Sequence, residues 1–233
     1  MDIVETAISL NNKGVFLLLA GKDQAAAEAL TQALMYMKEQ LYKTNSPDPL
    51  PSPYHDHCDA VLASTATTSS TNMSLEKSLI TSTPLPNLED EYYFIYNQAL
   101  TVSPALPRSD VHLHLFSTCI ILNLALGYHR RGLQGNRSCL CKAEKMYEMA
   151  AKLMGNETTN SENALQIKLA IVNNLAQIRY GQGNFGEARA GMNCLVSLIQ
   201  RIGTGSSLLK EGEINGIMLN LLFLSPPEIA PAA

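Results

Sequence analysis

One spacing constrains the fold of this chain more than anything in its composition. Asn12, Gly21, Ala26, Leu30 and Ala33 lie at offsets of 0, 9, 14, 18 and 21, and Asn174, Gly183, Ala188, Met192 and Leu195 repeat those offsets. Between them Asn123 and Gly132 are again nine apart, and Ala143, Tyr147 and Ala150 repeat the closing triplet after about six extra residues. Such self-similarity predicts stacked supersecondary units, an architecture whose long concave surface suits the holding of another chain.

The pattern has a physical reading. Small Ala26, Ala143 and Ala188 let two antiparallel helices approach, and Leu30, Tyr147 and Met192, one turn later on the same face, fill the gap. Gly21, Gly132 and Gly183 fall just past a first helix, where a left-handed residue turns the chain. Asp23 and Asn184 then start the second helix. Each unit reads helix, tight turn, helix.

These residues resemble the tetratricopeptide repeat (TPR). Asn11 to Leu30, Asn123 to Gly132 and Asn173 to Ala188 carry the likeness, which covers about residues 3–42, 111–154 and 162–202. Three departures stand out. Lys13 replaces a usual leucine, the second unit has a lengthened inner turn, and no unit is followed directly by the next. The resemblance implies an all-α fold, a TPR-like α-solenoid of about three helical hairpins, and the rest of the chain is read from its residues as a long disordered insertion with a candidate small β ribbon and a C-terminal capping helix. The boundaries are 1–43 for the first hairpin, 44–104 for the insertion, 105–224 for the remaining hairpins and cap, and 225–233 for a tail, with one folded domain overall.

Composition agrees. Of 233 residues 46% are hydrophobic and 16% charged, and the net charge of −4 disfavours a general nucleic-acid binder. The N-terminus lacks the features of a signal peptide. The most apolar run, Leu113 to Tyr128, reads as a buried helix too short to span a bilayer. Five cysteines, an odd count with two inside apolar helical segments, favour reduced thiols and an intracellular, cytoplasmic setting.

The insertion has four prolines from Asn45 to Pro53, and twelve of twenty residues from Ser64 to Thr83 are Ser or Thr. Most of residues 44–88 is therefore expected to be mobile. Its end, Tyr92 to Tyr96 and Ala99 to Val102, reads as extended backbone, with Asp59 to Ser64 as a candidate partner strand. That apolar strip is a candidate to lie in or beside the protein's own groove and compete with ligands. Ser46-Pro47, Ser52-Pro53 and Thr83-Pro84 are candidate phosphorylation sites there. Beyond it, Ile214, Met218, Leu221 and Leu222 lie on helical spacing and predict the cap.

In the resemblance the first helix of each unit lines the groove, and Asn12, Asn123 and Asn174 fall where the family places an asparagine that bonds peptide backbone. An amide both donates and accepts, so it grips main chain without reading side chains. The same faces carry Asn11, Val15, Leu126, Arg130, Asn173, Gln177 and Tyr180, with Ile8 and Leu19 beside them. Two bland readings compete: the asparagines bond neighbouring helices, and the apolar members are core. TPR domains that clamp acidic chaperone tails use Lys and Arg on these helices. Here Asn11, Ala170 and Asn174 stand instead, so chaperone-tail binding is disfavoured.

No catalytic motif emerges. His55, His57 and Cys58, and separately His112 and His114, lack four-ligand zinc spacing. Cys139-Leu-Cys141 is not a redox CxxC. Gly181-Gln-Gly183 and Gly203-Thr-Gly205 are not phosphate loops. Glu144, Glu148 and Glu187 read as solvated helix faces. The expectation is a non-catalytic module with no cofactor, holding a segment of a partner protein and inserted in no membrane. The alternatives are a metal or redox protein using the His55/His57/Cys58 cluster, and a structural subunit whose groove is filled by its own insertion or by a second copy.

Overall fold

The computed structural model describes residues 2–44, 79–86, 88, 93–155, 161–202 and 210–224. Among these the chain is mostly helical, with seven helices and one two-stranded sheet. The order is α1 (Ile3–Leu19), α2 (Asp23–Thr44), β1 (Ile80–Pro84), β2 (Gln98–Val102), α3 (Asp110–Leu133), α4 (Arg137–Met154), α5 (Glu162–Gly181), α6 (Phe185–Ile202) and α7 (Glu211–Leu224).

Three helix pairs form where the sequence pattern puts them: α1 with α2, α3 with α4, and α5 with α6. Asp2 starts α1 by accepting the Val4 N–H at 3.1 Å, and Ser161 starts α5 by accepting that of Ala164 at 3.2 Å. Ala26, Ala143 and Ala188 are each fully buried, as are Leu30, Tyr147 and Met192 one turn later. The tight approach is visible at Gly14, where an added Cβ would sit 2.6 Å from Leu30 Cγ. Pairs then stack, α2 packing on α3 and α4 on α5.

The three turns are alike, which corrects the expectation of a lengthened second turn. Lys22, Asn136 and Asn184 donate to the carbonyls of Leu17, Arg131 and Arg179, while Gly21, Gly135 and Gly183 donate to Leu18, Gly132 and Tyr180. All three glycines have positive φ, at 70°, 99° and 83°. This is one C-capping motif used three times. The turn glycine of the second unit is therefore Gly135, and Gly132 lies inside α3 against Leu140. The six extra residues divide into three before Gly135 and three after it. Each set adds nearly one 3.6-residue turn to its helix, so Asn123 and Ala143 keep their facing.

α3 is also longer than the apolar run suggested. At 24 residues it is long and apolar enough to cross a membrane, but 78% of its apolar window is buried inside the fold.

β1 and β2 pair antiparallel with Ile80 opposite Val102 and Pro84 opposite Gln98. The partner of β2 is thus 80–84, within the stretch expected to be mobile, and Thr83 sits paired with Ala99. Asp59–Ser64 and the expectation of disorder over 45–78 fall outside the described residues, as do Ser46 and Ser52.

The expected C-terminal helix is present and packs on α5 and α6, and Leu221 of the expected stripe meets the core, but the rest of that stripe does not face inward. The buried residues of the helix are Glu213, Gly216, Ile217, Asn220 and Leu224, whereas Ile214, Met218 and Leu222 of the proposed stripe are 38%, 45% and 72% exposed. Phe94 explains the choice of face: its ring lies against Gly216, where a Cβ would come within 2.2 Å of Cδ2.

Candidate functional site: an asparagine ladder on an extended strand

The first helix of each pair, together with α7, presents an asparagine to one extended segment, residues 94–102. Asn12 accepts the Val102 N–H at 2.9 Å and donates to the Val102 carbonyl at 2.8 Å. Asn123 does the same to Leu100, at 2.8 Å both ways. Asn174 holds Tyr96 at 2.8 and 2.9 Å, and Asn220 holds Phe94 at 2.9 and 2.6 Å. Each side chain thus satisfies both main-chain groups of one residue, which buried backbone requires.

Only one edge of the strand is used in this way. Alternate residues turn the opposite edge to β1: Leu85 N–H donates to Asn97 O at 2.9 Å, and Ser103 N–H to Leu79 O at 2.8 Å. The strand is bonded on both edges, by backbone on one and by asparagines on the other.

The rungs fall at 102, 100, 96 and 94, and position 98 has none. Two strand residues advance about 6.6 Å, whereas packed helices lie about 8–10 Å apart. Three helix steps therefore need about 27 Å, which eight residues supply with one rung skipped. The skipped residue, Gln98, is buried, and its Oε1 has no hydrogen-bond partner among the described residues.

A second layer braces the ladder. Asn11 donates to Leu100 O at 3.1 Å and to Asn12 at 3.2 Å, and accepts from Asn123 at 2.9 Å. Asn173 donates to Phe94 O and to Asn174, both at 3.1 Å, and accepts from Asn220 at 2.9 Å. Asn174 also donates to the Tyr147 hydroxyl at 3.0 Å, and Gln166 donates to that of Tyr96 at 2.7 Å. The asparagines thus bond main chain and one another, so both readings of them describe part of the geometry.

The remaining predicted site residues divide. Val15 and Leu126 are buried in the core. Tyr180 stacks edge-on with Tyr93 and Phe185. Arg130, just before the added turn of α3, is 2% exposed; it pairs with Asp23 and donates to Leu18 O at 2.8 Å and Pro86 O at 3.1 Å. It ties the first hairpin to the chain leading into the strand and does not face outward as a free cation. Gln177, 5% exposed, lies beside His129. Glu144, Glu148 and Glu187 are not merely solvated: all three surround Arg179, at 3.6, 2.7 and 3.0 Å.

Burial sets the electrostatics. It lowers the pKa of His129 to about 4, an effect the Gln177 side chain partly offsets, and raises that of Cys119 to about 12. Tyr147 is also raised by burial, as is Tyr96, where the Glu213 carboxylate adds to the effect. Among the described residues no three His, Cys, Asp or Glu side chains gather as metal ligands. His55, His57 and Cys58 lie outside those residues, and His112 bonds Ser109 at 2.6 Å.

Asn220 is the member that the repeat spacing missed, because no second helix follows α7 among the described residues to complete the pattern. The cue in the sequence was an amide inside the apolar run Ile217–Leu224. Comparison with protein-family models, curated proteins and solved structures finds no match.

Proposed function

We propose that this chain is a non-catalytic protein-interaction module of TPR-like, solenoidal build whose groove is occupied by its own segment 94–102. The observation that carries the reading is the set of four amide clamps on Val102, Leu100, Tyr96 and Phe94. A surface of that kind grips extended polypeptide whatever its side chains, which is the chemistry of peptide recognition by main chain.

The resident segment favours permanence. Tyr96, Ala99, Leu100 and Val102 are each 2% exposed or less, and the strand is bonded along both edges. Removing it would leave several buried asparagines without partners, each costing about 1–3 kcal/mol. The segment thus acts as a structural strut, and partners meet the outer surfaces of the helices.

A second reading keeps the groove for a partner's strand, since clamps on main chain would accept a foreign segment of similar shape. Replacing residues 93–103 by a Gly/Ser linker separates the two. Under the strut reading the chain loses cooperative unfolding. Under the exchange reading it stays folded and binds a synthetic 93–103 peptide supplied in trans. A folded chain that ignores the peptide would contradict both.

A further inference from the structure

We propose that the groove selects the segment it holds. It takes an extended strand only in the direction of residues 94–102, with an aromatic ring at the Phe94 seat and an unmodified tyrosine at the Tyr96 seat. This selectivity rests on the ladder reading above, and it fixes the chemistry of any partner segment that stands in for the resident strand.

The clamps by themselves do not choose. Each satisfies the N–H and the carbonyl of one residue, and an amide turned over offers the same pair in the opposite order. The bracing groups of Asn174 are the Asn173 amide and the Tyr147 hydroxyl, which turn over with it. The rungs at 94, 96, 100 and 102 are two, four and two residues apart, a spacing that reads the same from either end. A strand laid in reverse would still meet all four asparagines.

The seats behind the clamps do choose. Residues 94, 96, 98, 100 and 102 share one face of the strand. On that face the Phe94 ring lies against Gly216, and the Tyr96 hydroxyl accepts from Gln166 Nε2 at 2.7 Å. Gly216 stands four residues before Asn220, and Gln166 eight before Asn174, so this face looks toward the beginnings of α7 and α5. Reversal would turn it toward the ends of those helices, and ring and hydroxyl would leave both seats. A phenylalanine in place of Tyr96 would leave the part-buried Gln166 donor without its acceptor.

The Tyr96 seat also excludes charge. Burial first, and the Glu213 carboxylate second, hold the hydroxyl in its neutral form. Glu213 is itself buried and accepts the Lys210 N–H at 2.9 Å. A phosphate on the tyrosine would bring about two negative charges into this closed seat beside a carboxylate. Position 98 is the contrast: Gln98 is buried, yet its Oε1 meets no partner among the described residues. An apolar side chain of similar length fits there equally well.

Amide hydrogen exchange on the full chain tests the seats where the segment already lies. Tyr96→Phe should speed exchange at the Tyr96 amide about fivefold, and most of that loss should vanish when Gln166→Leu is present as well. Gln98→Met should leave the rung amides as slow as before. No loss in Tyr96→Phe, a loss unchanged by Gln166→Leu, or a loss as large in Gln98→Met overturns the proposal. Peptides test a foreign strand, added to the chain whose residues 93–103 are a Gly/Ser linker. The natural 93–103 peptide should bind or restore cooperative unfolding. The same peptide with phosphotyrosine at 96, or with its sequence reversed, should be weaker by about tenfold or more. Equal response to all three peptides, or to none, overturns the proposal. Free exchange at all four rung amides of the natural chain would remove the ladder reading, and the selectivity with it; protected rungs indifferent to Tyr96→Phe would remove the selectivity alone.

Discussion

Asn174 and Tyr96 exchange two hydrogen bonds across 78 positions of sequence: the asparagine Oδ1 accepts the tyrosine N–H at 2.8 Å, and its Nδ2 donates to the tyrosine carbonyl at 2.9 Å. The same exchange occurs at three other helices, so a loop excursion becomes a strut that crosses the helical stack. What the helices offer is an amide at regular intervals. What the strand offers is unpaired backbone on one edge.

Loss of the central rung should be costly. Asn123 makes two bonds to Leu100 and one to Asn11, and all three are buried. Asn123→Ala orphans the Leu100 main chain and should destabilise by about 3 kcal/mol, as several buried groups lose partners together. Urea unfolding measures it. The exposed Gln32→Ala, in the interior of α2, serves as reference and should shift stability by about 0.5 kcal/mol or less.

The seat of Phe94 can be tested from the opposite side. A Cβ at Gly216 would stand 2.2 Å from the Phe94 ring. Gly216→Ala should raise helix propensity yet destabilise by about 1–3 kcal/mol through overpacking. Thermal unfolding gives the sign, and a stabilised variant would show that the ring does not rest there.

How much of this was legible follows from the kind of information each part requires. The pairing of Ala26 with Leu30 and of Ala188 with Met192 is local periodicity, and periodicity survives in sequence. The rungs at Asn12, Asn123 and Asn174 were legible for the same reason. Gly135 was missed because a nine-residue offset favoured Gly132, although inserting nearly a full turn on each side of the loop leaves the packing intact. The seat of β2 in the protein's own groove was legible as a candidate, but its register on the asparagines and its pairing with residues 80–84 were not, since a strand held by side-chain amides carries no complementary pattern of its own. The exposed stripe of α7 was taken for its buried one, because apolar residues lie all round that helix after Glu213, and the Phe94 ring at Gly216 together with the Asn220 bonds marks the face that turns inward.

Acid should loosen the fold through His129. Its pKa is lowered to about 4 from an unfolded value of 6.5 because the buried ring resists charge. Between those limits the unfolded chain binds more protons, so stability is full above pH 6.5 and falls as pH decreases toward 4. The slope is about 1.4 kcal/mol per pH unit, on the order of 3 kcal/mol over the window. Denaturant midpoints across pH 4–7 measure it, and His129→Gln should flatten that component of the profile.

Arg130 should matter for folding. Arg130→Met removes its pairing with Asp23 and its bonds to the Leu18 and Pro86 carbonyls. The expected cost is about 3 kcal/mol, since a mostly buried carboxylate loses its partner. Asp23→Asn in the same chain should recover part of it. Equal stability of the single variant and the natural chain in denaturant titration would show the pair to be incidental.

The most direct measurement is amide hydrogen exchange along residues 93–103 of the full chain. The ladder predicts that the amides of Phe94, Tyr96, Leu100 and Val102 exchange as slowly as those in the middle of α3 and α5, and that Asn123→Ala accelerates Leu100 ahead of the others. Exchange at the rate of a free peptide across all four, with the helices still protected, would mean that the strand does not reside on the asparagines.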